Sequence, residues 1–238
     1  MTRNLLAGAA VLALVAGQAG AQDLKFAPGE DAKFNWASYD AFKAAHDLKG
    51  QSLKIDGPWG GVDKALFESV IAYFEAATGA DVEYSGGDGF EQRVMIDVEA
   101  GSPPGIAVIP QPGLAADLAK RGKLTVLKPE IGEFLKNDYA AGDSWVNLST
   151  YAGADGTQAL YGLFYKVDVK SLVWYVPENF EDAGYDVPES MEDLKALSDQ
   201  IVADGGTPWC IGLGSGGATG WPATDWVDDM MLRVNTPE

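Results

Sequence analysis

Asp225 stands four residues after Trp221, and both follow a loop almost without bulk, Gly214 to Gly220, whose polar side chains are Ser215 and Thr219. Trp209 precedes this loop and Trp226 follows it. A carboxylate accepts hydrogen bonds from hydroxyls, exposed loop N–H groups donate them, and an indole covers the apolar C–H face of a sugar ring. The pattern suits a neutral, hydroxyl-rich ligand. Two other readings stay open. The loop can be a plain strand-to-helix turn whose tryptophans fill a core. Asp225 and Asp229, spaced i and i+4 on one helix face, can pair as acid and base for glycoside hydrolysis. Against the last reading, both carboxylates project from one element.

Other reactive groups are scarce. Cys210 is the only cysteine, so no internal disulfide can form. Its apolar neighbours Trp209 and Ile211 predict a buried structural thiol. His46 is the only histidine, which leaves a zinc site without ligands beyond carboxylates. We expect no catalytic residue, no metal and no cofactor.

The positioning elements follow from periodicity. Ser52–Asp56 is a predicted strand ending in GPWGG. A helix follows, with Phe67, Val70, Ile71 and Phe74 on one face and Gly79 capping its end. Residues 80–85 form the second strand, ending in GGDG. Phe90–Ala100 is the second helix, with Phe90, Val94 and Val98 in line. Gly105–Ile109 is the third strand, ending in PQPG, and Leu114–Arg121 the third helix, stopped by Gly122. Alternating strands and helices with short loops imply an α/β fold with a parallel sheet. Ligands of such sheets sit outside the carboxyl ends of the strands. The three loops there carry Trp59, Asp88 and Gln111. Each has a structural alternative: Trp59 packing on the sheet, Asp88 capping a helix, Gln111 solvated. GPWGG lacks the G-x-G-x-x-G spacing of a dinucleotide loop.

Beyond Gly122 the pattern loosens, and 127–155 reads as irregular or short helical. Gln158–Tyr165 and Lys170–Val176 read as strands, and Pro177 starts a short helix. Ser190 and Asp193 make an acidic capping box for a helix with Leu194, Leu197 and Ile201 as its apolar stripe. Pro208–Leu213 reads as a strand leading into the glycine loop, and Pro222 begins a last helix.

The N-terminus carries a single charge, Arg3, before an apolar run from Leu5 to Ala16. The small-x-small site Ala19-Gly20-Ala21 follows. The run is short of the ~20 residues that span a bilayer. Residues 1–21 are therefore expected to be an export signal cleaved after Ala21, and the protein is expected in the periplasm without stable membrane insertion. The chain has 17 basic and 35 acidic residues, a net of −18. Dispersed negative charge of this size disfavours nucleic acid and anionic lipid as partners.

At this point the residues resemble a known family. DGPWGG (56–61), EYSGGDGFEQ (83–92), VIPQPGLAADLAKRGKL (108–124), YKVDVKSLVWY (165–175) and the run from Gly205 to Arg233 are similar to the ABC-transporter extracellular solute-binding proteins, family 1. The nearest likeness is to the periplasmic α-glucoside-binding branch. The resemblance implies a type II periplasmic-binding-protein fold, with two α/β lobes joined by a hinge. It implies that an oligosaccharide or α-glucoside such as maltose, sucrose or trehalose is captured by hinge closure and delivered to the transmembrane subunits of an ABC permease. A non-transport polyol or solute binder is the remaining alternative. By similarity, Ser215, Gly217, Ala218 and Trp221 contact sugar, and Trp59, Asp88 and Gln111 form the first rim. Lys170 and Trp174 lie near hinge and cleft. Family length implies a C-terminally truncated chain with an incomplete second lobe. The expected divisions are an N-terminal extension at 22–48, a first lobe at 49–155, and hinge strands with the start of a second lobe at 156–238.

Overall fold

The structure is a computed structural model that describes residues 24–235; the expected export signal and its cleavage site lie outside the described residues. The element order is α1 (Trp36–Ala45), β1 (Ser52–Gly57), α2 (Gly61–Thr78), β2 (Asp81–Gly86), α3 (Phe90–Glu99), β3 (Ile106–Ala107), α4 (Pro112–Lys120), α5 (Pro129–Asp138), α6 (Gly142–Leu148), β4 (Thr150–Ala152), β5 (Gln158–Leu160), α7 (Pro177–Ala183), α8 (Met191–Ala203), a 3-10 turn (Gly216–Ala218) and α9 (Trp221–Val234). The chain divides into two compact units. One includes residues 24–53 and Val62–Glu83, the other Lys54–Gly61 and the chain from Tyr84 onward.

In the first unit, α1 forms within the expected N-terminal extension at 22–48. The Asn35 side chain caps it by accepting from the Ser38 N–H at 3.0 Å. Phe34 and Trp36 stack at 5.0 Å, and the Tyr73 hydroxyl of α2 accepts from Phe26 N–H at 2.8 Å and donates to its carbonyl at 3.1 Å. Of the expected face of α2, Phe67, Ile71 and Phe74 are half-buried, while Val70 is exposed. Ala72, Ala77 and Thr78 are the residues α2 buries fully.

The sheet order is β2-β1-β3. Strands β1 and β3 are parallel, pairing Ile55 with Ile106 and Asp56 with Ala107. The bonds Asp81 N–H to Gln51 O and Gly87 N–H to Gly57 O keep one constant offset in sequence, so β2 also runs parallel to β1. β3 is shorter than the sequence predicts. Prolines 103, 104 and 110 bracket it, and proline has no N–H for the ladder.

The second unit builds its core from the expected stripe. Phe90, Val94 and Val98 of α3 are buried with Leu118 of α4, and Met95, Ala107, Ile109, Leu114 and Leu124 pack against them. Burying side chains of this size contributes about 1.5–3 kcal/mol each. A tight β4–β5 hairpin turns through Gly153–Thr157, with Gly156 at φ +81°.

Three expectations fail in the C-terminal part. Lys170–Val176 and Pro208–Leu213 are not strands, and the Gln158–Tyr165 strand ends at Leu160. Strand structure is made by pairing, and these extended apolar segments have no paired neighbour among the described residues. Ser171 further breaks its segment with φ +59°. Cys210 is exposed, not buried, because the strand that was to carry it inward does not form. The helices there do form. Ser190 caps α8 as expected, accepting from Asp193 N–H at 3.0 Å and donating to its carboxylate at 2.6 Å. Leu194, Leu197 and Ile201 are half-buried.

Candidate ligand-binding site

Trp59 sits in the loop that leaves β1, and its backbone is fastened from two sides. Asp56, buried near the end of β1, accepts from Arg93 of α3 at 2.7 and 3.2 Å and from Gly57 N–H at 2.8 Å. This bidentate pair, largely removed from water at its carboxylate end, ties the loop's base to α3. Hydrogen bonding to Asp56 holds the Arg93 guanidinium above its ordinary pKa. The Tyr84 hydroxyl then accepts from Trp59 N–H at 3.1 Å and donates to Trp59 O at 3.2 Å. The half-buried indole lies 5.8 Å from the Tyr165 ring, and the Lys166 ammonium lies 5.8 Å from its centre.

The second rim loop meets the glycine loop directly. A Cβ on Gly216 would come within 2.9 Å of the Asp88 carbonyl, and one on Gly217 within 3.4 Å of the Gln92 amide nitrogen. Gly216 also has φ +49°, so glycine serves there for both space and conformation. The loop holds itself in shape. Thr219 Oγ1 accepts from Ser215 N–H at 3.0 Å and donates to Gly216 O at 2.7 Å, while Gly220 N–H reaches Leu213 O at 2.9 Å. The 3-10 turn Gly216–Ala218 thus packs against the start of α3. Asp88 does not cap α3, since Gly89 holds that position.

A third group gathers at the start of α9. Lys170 Nζ lies 3.4 Å from Asp225 Oδ2 and 3.9 Å from the centre of the Trp221 ring. Ser171 Oγ donates to the Asp225 carbonyl at 3.0 Å. Asp225 Oδ2 is shielded from solvent and has no hydrogen-bond partner, so the Lys170 charge serves it at ion-pair range without alignment.

The remaining expected residues stand apart. Trp174 is 85% exposed. Gln111 is half-buried at the N-cap of α4 and makes no side-chain cap. Trp209 donates from its indole nitrogen to Ser198 at 3.1 Å. Asp229, the partner that a hydrolytic reading needs, accepts from Arg233 at 2.8 Å. Among the described residues, no group of three or more His, Cys, Asp or Glu side chains is placed to hold a metal ion. No described helix is long and apolar enough to cross a membrane.

Sequence reasoning missed four participants. Tyr84, Arg93, Tyr165 and Lys166 act through the loop of a different element, and linear spacing carries no sign of such pairing. Asp56 offered a weak signal, as a charged residue ending an inward-facing strand.

Residues 59–238 match the family described as bacterial extracellular solute-binding protein, and the chain belongs to that family. The class it defines is an extracellular solute-binding protein, and the described residues form a mixed α/β structure. Over its whole length the chain is 63% identical to the alpha-glucosides-binding periplasmic protein AglE of Rhizobium meliloti, covering 53% of that protein. It is 44% identical, over 80% of its length and 44% of the relative's, to the osmoprotective compounds-binding protein GgtB of Synechocystis. The chain therefore spans about half the length of these relatives. Among solved structures, mannotriose-bound CpMnBP1 aligns at a TM-score of 0.44 and 20% identity, covering 63% of this chain and 38% of that one. The apo form of RafE from Streptococcus pneumoniae aligns at 0.43 and 17%, covering 67% and 38%.

Proposed function

We propose that the protein is the substrate-binding component of an ABC importer and captures a neutral α-glucoside. The observation that carries this reading is the partly exposed Asp225 carboxylate, paired with the Lys170 ammonium that lies over the Trp221 ring, next to the self-braced glycine loop. The exposed part of the Asp225 carboxylate accepts from the hydroxyls of a sugar, and the indole takes the apolar ring face. A micromolar dissociation constant needs about −8.2 kcal/mol. Several hydrogen bonds at ~0.5–1.5 kcal/mol each, those to a carboxylate being stronger, reach it together with stacking after ordering costs. The similarity to the alpha-glucosides-binding AglE and the osmoprotective compounds-binding GgtB supports an α-glucoside or an osmoprotective compound as ligand. Trp59, Asp88, Gln111, Lys170, Trp174, Ser215, Gly217, Ala218, Trp221 and Asp225 are the proposed contacts. Lobes at 49–155 and 156–238 close around the ligand, and the loaded form docks on a permease. The protein reaches the periplasm by cleavage after Ala21 and performs no chemistry. A calorimetric panel of maltose, sucrose, trehalose and simple polyols tests this. One sugar should bind with micromolar affinity, and Trp59→Ala and Trp221→Ala should each weaken it about tenfold or more, as loss of a stacked ring does. Release of free glucose, or undiminished binding by both variants, refutes the reading.

A further inference from the structure

We infer that Tyr84 is a positioning residue that sets the direction of the Trp59 ring, an inference that rests on the sugar-binding role proposed for that ring. Three observations converge. First, one hydroxyl closes both polar groups of the Trp59 backbone, accepting at 3.1 Å and donating at 3.2 Å. A phenol has one proton to give and lone pairs to accept with, so this geometry uses it in both directions. Second, Tyr84 is only 5% exposed, and two glycines of the strand ends lie close against its phenol. A Cβ on Gly57 would lie 2.9 Å from the Tyr84 oxygen, and a Cβ on Gly86 would press on both that oxygen and the Trp59 carbonyl. Neither glycine has a positive φ among the glycines of that kind, so their smallness serves the approach of the phenol and not a turn. Third, the loop's base is held independently, by Arg93 on Asp56 and by Gly87 N–H on Gly57 O at 3.2 Å.

With the base fixed by the sheet and the tip by the phenol, the Trp59 Cα–Cβ vector has little freedom. The half-buried ring is then aligned before ligand arrives, and binding loses less conformational entropy. The same device recurs in the other unit, where the Tyr73 hydroxyl closes the N–H and the carbonyl of Phe26 at 2.8 and 3.1 Å. There it fastens the segment that precedes α1 to α2, so the double closure acts as a clamp at both places.

The test is Tyr84→Phe, which removes the oxygen and keeps the ring. Amide hydrogen exchange at Trp59, read without ligand, should quicken about tenfold, the effect of losing two neutral hydrogen bonds at one residue. Maltose affinity measured by calorimetry should fall several-fold in the Trp59 protein. In a Trp59→Ala background the same Tyr84→Phe change should leave affinity unaltered, because the phenol acts through the indole. Equal losses with and without the indole would show a merely structural role and overturn the inference, as would unchanged Trp59 exchange. If Tyr84→Phe does not fold, Gly57→Ala crowds the same oxygen while retaining it and meets no atom of Trp59, and the same two readouts decide. If the unsubstituted protein binds no sugar, the ligand reading fails alone, and the exchange result still settles whether Tyr84 holds Trp59.

Discussion

Replacing Arg93 by Met removes the charge that faces the enclosed Asp56 carboxylate near the end of β1. The Asp56 side chain is 7% exposed and the Arg93 side chain 40%. Breaking a fully buried pair costs about 3–5 kcal/mol, because the remaining ion is left in a poor solvent. Two features of this pair lower that figure. The guanidinium end is well solvated, which screens it, and Gly57 N–H remains as a donor to Asp56 at 2.8 Å. Methionine also preserves most of the apolar stem against α3, so packing loss is the minor term. We expect a loss of about 2 kcal/mol, or roughly thirtyfold in the folding equilibrium constant. Urea unfolding of the chain and of Asp56→Asn, Arg93→Met and the double variant measures it. Asparagine keeps an acceptor for Gly57 and removes the stranded charge. The double variant should therefore recover about 1 kcal/mol relative to the sum of the singles. An Arg93→Met protein within about 0.5 kcal/mol of the parent would refute the reasoning, since the carboxylate would then be finding water that the packing around β1 denies it.

Two further outcomes follow from local geometry. Lys170→Met should lower stability by about 1 kcal/mol, the combined size of an exposed cation–π contact and a half-exposed ion pair. It should also change the emission of Trp221, from whose ring the ammonium now lies 3.9 Å; unchanged emission and an unchanged melting temperature together would remove Lys170 from the site. In the β4–β5 turn, the bond from Thr157 N–H at 2.9 Å holds the Asp155 carboxyl below its ordinary value. A lowered folded value means that the turn's contribution is complete above the ordinary carboxylate pKa and is lost as pH falls through the folded one. Thr157 amide exchange should quicken across that acid window, and Asp155→Asn should abolish the pH dependence.

Local pattern made much of the first half legible. The Phe90, Val94 and Val98 stripe needed only helical period and became the core. Ser190 followed by Asp193 needed only three-residue spacing and became a cap. The segments 170–176 and 208–213 read as strands by the same logic and are not, because alternation and bulk describe a residue's preference while a strand exists only against a partner. The misplacement of Cys210 follows from the same cause. In the candidate site, the residue types were visible and their company was not. Asp88 beside Gly216 brings together positions more than a hundred residues apart, and so does Trp59 beside Tyr165.

The sequence by itself determined what this protein has to work with: tryptophans, small loops and isolated carboxylates, no second histidine or cysteine, and helices that start and stop where short-range spacing dictates. Those properties depend on contacts within about one helical turn, which the order of residues specifies directly. Only the tertiary structure decided that Tyr84 clamps Trp59, that Arg93 neutralises Asp56 and that Lys170 lies over Trp221. Each of these joins groups far apart in the chain, and such pairs are selected by how the sheet and helices pack, not by any preference the separate segments carry.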